Sequence, residues 1–338
     1  MAAELFKTAL AFSVIVYVIS PIIFKYSPMI QSFLLFMNYV NTQYNQNLSQ
    51  PEQVGIKCSR LLRLEHNLNS ETNVQLGAWH ILPDSSLPSC ITDSEKNRTY
   101  INDDIAFGDS RPIVLYVHGN GGNRASNHRN LLYKRLAYEQ DYHVVTFDYR
   151  GYGDSTNLSP TADGLSSDAK CIYSWLIKQP NVTHKRVVVW GHSLGTAVAV
   201  RMIAGLPEKD RPKGLILEAP FDSVANAIAN HPFSIPFRVI PYFEYFFVEP
   251  IENSPDLNFD SARSIVKIKP TPIMILHAED DAIIPIKLGR NLYTQASKAL
   301  GGNNVKFVQI SDKHGLGHKH IWNHDDTMAK VKTFIGDH

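Results

Sequence analysis

Arg186-Val187-Val188-Val189-Trp190-Gly191-His192-Ser193-Leu194-Gly195-Thr196 is the stretch whose reading decides the fold. Its first half is a short β-branched run that fits a buried strand. From Thr196 to Gly205 the chain is rich in Ala, Val and Met and fits a helix packed against that strand. Between the two lies G-x-S-x-G, whose small residues two positions either side of Ser193 let the backbone turn sharply and lift the hydroxyl out at the start of the helix. The free N–H groups of that helix start face any oxyanion formed there. The pentapeptide alone is common, and an ordinary strand-to-helix turn is the plain alternative. The strand before it and the helix after it favour an exposed nucleophile.

Similar apolar runs flank this one: Ile113 to Val117, His143 to Phe147, Gly214 to Leu217, Pro272 to Leu276 and Val305 to Ile310. Segments long enough for helices separate them, so the spacing predicts a mostly parallel sheet buried on both faces. Two earlier strands are expected around Leu61 to Glu65 and over Gln75 to Ile81, with a polar surface excursion from Pro83 to Arg111. In such a sheet, chemistry belongs beyond the carboxyl ends of the strands.

The loaded motifs fall there. After Val117 comes His118-Gly119-Asn120-Gly121-Gly122-Asn123-Arg124, where glycines let backbone amides approach a substrate oxygen. The backbone N–H groups of Asn120 and of Leu194, the residue after the nucleophile, are the candidate oxyanion donors. Neither G-x-x-x-x-G-K-[ST] nor G-x-G-x-x-G is present, which argues against a phosphate-binding or dinucleotide loop. Asp148 to Ser155 follows the next strand and reads as turn chemistry that buttresses the site. His277-Ala278-Glu279-Asp280-Asp281 offers three adjacent carboxylates, of which Asp281, four positions before Pro285, takes the place of a triad acid. His314, His318, His320 and His324 crowd the segment after the last strand, and spacing does not choose the base among them. They lack H-E-x-x-H, and neither a metal nor a cofactor is expected.

At the N-terminus, 17 uncharged residues from Thr8 to Phe24 lie between Lys7 and Lys25, at the lower limit for a membrane-spanning helix. A signal peptide is the rival, but no A-x-A-like site follows. A second apolar run, Met29 to Val40, is too short to span and fits either a kinked continuation or an interfacial segment. The expected organisation is a membrane anchor over 1–41, a stalk with the first strand over 42–73, and a catalytic domain over 74–338 with a cap inserted at about 221–264. That insert holds Phe233, Phe237, Tyr242, Phe243, Tyr245, Phe246 and Phe247, which suit an acyl-chain pocket, a membrane-facing lid or packing within the cap. A net charge of +1 and the lack of a long Lys/Arg cluster argue against nucleic acid as a partner. Of Cys58, Cys90 and Cys171, the first two form a bridge if the compartment is oxidising, and free thiols are the alternative. Sequons at Asn47, Asn97 and Asn181, with a poorer one at Asn157 before Pro160, favour a lumenal or extracellular catalytic domain.

Taken together these motifs resemble the α/β-hydrolase domain-containing protein 12 family, membrane-anchored serine hydrolases described as lysophosphatidylserine and monoacylglycerol lipases. The matching stretches are His118-Gly119-Asn120, Arg124 with Asn127-His128-Arg129, Tyr142 to Ser155, Gly191 to Thr196, His231 to Ser234, Leu276 to Asp281 and Leu316-Gly317-His318-Lys319. The resemblance implies an α/β-hydrolase fold with a helical cap, behind a transmembrane helix. It also implies a carboxylic-ester hydrolase acting on single-chain lipids through Ser193, Asp281 and His318, the histidine that precedes Lys in the closing loop. It further implies an endoplasmic-reticulum membrane enzyme with a lumenal site, whose partners are a lipid substrate and the membrane. Arg124, His128 and Arg129 are candidates for a phosphate headgroup, with surface solvation the competing account. A protein S-acyl thioesterase using the same triad, or a catalytically silent lipid-binding protein on the same fold, is the functional alternative.

Overall fold

The apolar runs become neighbours in one eight-stranded sheet in the computed structural model, which describes residues 1–40, 47–67, 73–95 and 98–337. Its strands are β1 (Ser59–Asn67), β2 (Asn73–Ile81), β5 (Ile113–Val117), β6 (His143–Phe147), β7 (Val187–His192), β8 (Gly214–Glu218), β9 (Ile273–Ala278) and β10 (Val305–Ile310). A separate hairpin is made by β3 (Ile91–Asp93) and β4 (Arg98–Tyr100). The spatial order is β1-β2-β6-β5-β7-β8-β9-β10. β2 runs antiparallel to both its neighbours, and every pairing from β6 to β10 is parallel. β1 pairs with β2 along its whole length, so the first strand is the edge of the sheet rather than the end of a stalk.

The helices are α1 (Ala2–Val14), α2 (Ser20–Tyr26), α3 (Pro28–Phe36), α4 (Asn127–Lys134), α5 (Ala162–Leu176), α6 (Leu194–Ala204), α7 (Val224–Asn230), α8 (Glu249–Glu252), α9 (Ser261–Ile265), α10 (Ile286–Leu300) and α11 (Asp325–Asp337). Period-2 alternation divides the core between the two faces of the sheet. Ile113, Leu115 and Val117 of β5 face α5, α6 and α10, whereas Val114 and Tyr116 face α4 and α11. A disulfide joins Cys58, just before β1, to Cys90, ahead of the hairpin, and so ties the polar excursion to the sheet edge. Cys171 on α5 is half-buried and unbridged.

α1, a π turn over Ile15–Ile19 and α2 form one helical run. Within it Ala3–Tyr26, 24 residues of high hydropathy, is long enough to cross a membrane. The run stops at Ser27, where the backbone is extended and the side-chain hydroxyl caps α3 by accepting the Ile30 N–H. Gln31 then turns back and donates through Nε2 to the carbonyls of Phe24 and Lys25, satisfying orphan acceptors at the end of α2. The Met29 to Val40 run neither prolongs the first helix nor lies free. α3 folds onto the catalytic domain, and Phe36 is fully buried.

Between β8 and β9 the chain leaves the sheet to build the cap from α7, α8, α9 and intervening turns. Several of its aromatics meet the N-terminal apolar helix. Phe237 packs against Tyr17 with ring centroids 6.2 Å apart, Phe247 against Phe24 at 5.2 Å, and the Tyr242 hydroxyl donates to the Tyr17 carbonyl at 2.8 Å. Lys25 lies over the Tyr245 ring and donates to that residue's carbonyl at 3.0 Å.

Candidate active site

Ser193 ends β7 and starts α6 with φ 51° and ψ −120°, a conformation that non-glycine residues avoid. Its backbone is held on both sides: the N–H donates to the Glu218 carbonyl at 2.9 Å, and its carbonyl accepts the Thr196 hydroxyl at 2.6 Å. The motif's glycines are required by space. A Cβ at Gly195 would stand 2.0 Å from the Val117 carbonyl oxygen, and one at Gly191 would stand 2.6 Å from that of Gly195. The elbow thus exists because two backbones approach closer than any side chain allows.

The Ser193 hydroxyl donates to Nε2 of His318 at 2.9 Å, and Nδ1–H of His318 donates to Asp281 Oδ2 at 2.7 Å. His314 and His320 are exposed elsewhere, with His314 packed on His324 at 4.3 Å and His320 beside Trp322 at 6.3 Å. The three carboxylates after β9 separate by direction. Glu279 turns toward β10, where it accepts from Gln309 and the Asp312 amide. Asp280 accepts the Gly317 N–H at 3.0 Å and so pins the loop that carries His318. Asp281 accepts the amides of Ile283 and Ile284 on Oδ1, both at 2.9 Å, leaving Oδ2 for His318. Burial alone would push the Asp281 carboxyl up, but hydrogen bonds from His277, His318 and the Ile284 amide outweigh it and hold the group well below the usual carboxylate range. An ionised Asp281 at this position keeps the His318 proton on Nδ1 and leaves Nε2 free to accept from Ser193. His192 adds a further tether, donating Nε2–H to the His318 carbonyl at 2.9 Å. Its own burial lowers it to about 3, so it stays neutral.

The glycine-rich loop after β5 lies against Ser193: a Cβ on Gly119 would stand 3.2 Å from the Ser193 Cβ. One buried guanidinium organises this loop. Arg129 on α4 donates to the carbonyls of Gly119 at 2.9 Å, Gly121 at 2.8 Å and Asn123 at 2.7 Å, with Asn120 at 3.4 Å. The His118 Nδ1–H also donates to the Gly119 carbonyl, at 2.7 Å. In a trans peptide the N–H points opposite to the C=O, so fixing the Gly119 carbonyl turns the Asn120 N–H the other way. Among the described residues, neither that amide nor the Leu194 amide donates to a protein acceptor.

The expected headgroup residues need correction. Arg124 is 2% exposed and is committed to Asp148 and Asp154, while its ring-facing side lies over Trp79. Arg129 is 2% exposed and spent on the loop carbonyls. His128 is half-buried against His192, and burial with the nearby Arg129 charge holds it well below the usual histidine range. Linear order shows three basic side chains beside a loop; only folding shows that two of them are interior struts. Asp148 does prove to be one of their structural partners.

A family model described as "Alpha/beta hydrolase family" matches residues 114–331. Lysophosphatidylserine lipase ABHD12 of Danio rerio is 39% identical over 91% of this chain and 77% of its own length. Its counterpart in Gallus gallus is 36% identical over 95% and 81%. The chain belongs to the α/β-hydrolase family, on its ABHD12 branch. Human Protein ABHD12B is 32% identical over 89% of this chain and 79% of its own length. Among solved structures, the Pyrococcus furiosus esterase Pf2001 superposes with a TM-score of 0.59 at 19% identity, covering 85% of this chain and 94% of the esterase. A puromycin-hydrolysing peptidase of Mycobacterium tuberculosis gives 0.57 at 16% identity, over 82% and 39%. At these identities the likeness speaks for the fold alone. An α/β-hydrolase of this branch is a lipid-cleaving serine hydrolase behind an apolar N-terminal helix.

Proposed function

We propose that this α/β-hydrolase cleaves the acyl ester of single-chain lipids, lysophosphatidylserine and monoacylglycerols, through an acyl-enzyme on Ser193. The reading is carried by the unbroken hydrogen-bond chain from Ser193 through His318 to Asp281, and its relatives, lysophosphatidylserine lipases, suggest the phosphoserine headgroup. Ser193 Oγ attacks the ester carbonyl as its proton passes to His318 Nε2. The Asn120 and Leu194 amides hold the resulting oxyanion. Collapse breaks the bond to the glycerol oxygen, which leaves with the proton from His318. Water then attacks the acyl-enzyme with His318 again as base, releasing the fatty acid and restoring the Ser193 hydroxyl. The membrane helix packed on the cap supports a substrate drawn from the bilayer. The Cys58–Cys90 bridge and the sequons at Asn47, Asn157 and Asn181, all exposed, support a lumenal face of the endoplasmic reticulum. The fourth sequon, Asn97, lies outside the described residues.

A fluorophosphonate probe and a panel of lysophosphatidylserine, monoacylglycerol and an S-acylated peptide test this directly. The expected result is probe labelling and lipid turnover in the parent, both abolished in Ser193→Ala. Turnover that survives Ser193→Ala overturns the mechanism, and preference for the acylated peptide replaces the lipase by a thioesterase.

A further inference from the structure

A loop with glycines at two left-handed positions, Gly121 at φ 66° and Gly122 at φ 63°, has little shape of its own and must be held from outside. Arg129 grips its carbonyl side. The other side is gripped by the end of α3 and the residues just after it. α3 stops at Met37, which adopts φ 44°, so the Leu35 and Phe36 carbonyls lie in the last turn without helical partners. Asn120 fills the first by donating Nδ2–H to the Leu35 carbonyl. The Tyr152 hydroxyl sits between the Phe36 carbonyl and Asn120 Oδ1, 3.0 Å from the latter. Asn120 Oδ1 also accepts the Gly121 N–H at 3.0 Å. Further along, the Gly122 N–H donates to the Val40 carbonyl at 2.7 Å, and Asn38 Nδ2 donates to the Gly151 carbonyl at 3.0 Å. The fully buried Phe36 ring fastens this segment to the core.

We propose that Leu35–Val40 is a strap that sets the oxyanion loop, with the side chains of Asn120 and Tyr152 as the positioning residues that join the two. The segment that follows the membrane helix is then a working part of the active site rather than a tether. The inference rests on the hydrolase reading above, in which the Asn120 amide stabilises the oxyanion. Loosening the strap lets the Asn120 peptide rotate, which weakens an interaction made only in the transition state.

The test uses the full chain in detergent micelles with p-nitrophenyl acetate, a soluble ester that needs no membrane delivery. Asn120→Asp removes the donor to Leu35 and sets a carboxylate against a carbonyl; Tyr152→Phe removes one oxygen. Each is expected to lower kcat about tenfold or more with KM within about twofold, and to slow fluorophosphonate labelling in parallel. Asn38→Ala, farther from the reacting atoms, is expected to cost about two- to threefold in kcat. Thermal melting accompanies each variant, and if Asn120→Asp does not fold, Tyr152→Phe decides. Folded variants whose kcat stays within twofold of the parent overturn the strap, as does a loss confined to KM. Ser193→Ala in the same assay separates the two readings. Hydrolysis that persists in it overturns the hydrolase reading and the strap with it. Hydrolysis abolished by Ser193→Ala but untouched by the strap variants overturns the strap alone.

Discussion

Glu218 shows how tightly the ground beneath Ser193 is built. Its backbone carbonyl accepts the Ser193 N–H, while its side chain, 1% exposed, accepts Trp190 Nε1–H at 3.0 Å. Burial pushes the carboxyl up to about 8, with the Trp190 hydrogen bond opposing only part of that. The folded value is thus above the unfolded one, and the folded state binds the extra proton between roughly pH 4.3 and that value. Over this window stability falls as pH rises. Glu218→Gln, neutral at every pH, is expected to raise Tm by a few degrees at pH 8 and by much less at pH 5. Calorimetry of both proteins at the two pH values checks it, and an equal difference at both contradicts the buried, protonated carboxyl. At the same scale, Asp280 and Asp281 differ by one position yet do different work, because a turn sends one to the Gly317 amide and the other to the His318 ring.

Among the elements, the cap and the N-terminal apolar helix belong together. Tyr17 and Phe24 of the helical run pack on Phe237 and Phe247, which places the cap beside the C-terminal half of that apolar helix. In the cap segment after α7, Phe233, Ile235 and Val239 are 76%, 59% and 80% exposed. Exposed apolar side chains in an insert packed on an apolar helix of membrane length suit insertion into a lipid surface. Phe233→Asp together with Val239→Asp is therefore expected to slow hydrolysis of vesicle-borne lysophospholipid about tenfold while leaving p-nitrophenyl acetate hydrolysis unchanged. Equal rates on vesicles before and after the change rule out insertion of this segment. The aromatic richness of the insert was visible in the sequence, but its use was not. Period and composition mark these rings as buried or lipid-facing, and only the fold shows that several are spent on the N-terminal apolar helix.

For the whole molecule, the disulfide and the sequons bear on which side of the membrane the catalytic domain occupies. Asn181 is exposed in the turn before β7, and Asn47 and Asn157 are exposed as well. A lumenal domain predicts a glycosidase-sensitive mobility shift in cells that shrinks in Asn181→Gln. A full-length chain with no shift, and with a domain open to protease in sealed microsomes, points to the cytosolic side. The Cys58–Cys90 bridge closes a loop across a sequence separation of 32 residues. Its removal by Cys90→Ser is expected to cost about 2–4 kcal/mol of stability, read as a lower denaturation midpoint under non-reducing conditions.

By itself the sequence determined the parallel sheet, the elbow at Ser193, the glycine loop, the acid turn and the membrane-length helix. Each of these is local: apolar runs, the G-x-S-x-G spacing between a strand and a helix, and uninterrupted hydropathy are written in consecutive residues. Tertiary structure decided what distance in the chain conceals. Choosing His318 from its neighbours depends on Asp280 and His192, 38 and 126 positions before it, holding that one residue toward Ser193. The basic triplet after the glycine loop reads as a surface patch until Asp148, Asp154 and four loop carbonyls close around Arg124 and Arg129. The end of α3 reads as spare hydrophobic length until Asn120 and Tyr152 meet its free carbonyls across a separation of 85 and 116 residues. A hydrogen bond needs an acceptor within about 3 Å, and which acceptor arrives there is a property of the folded chain.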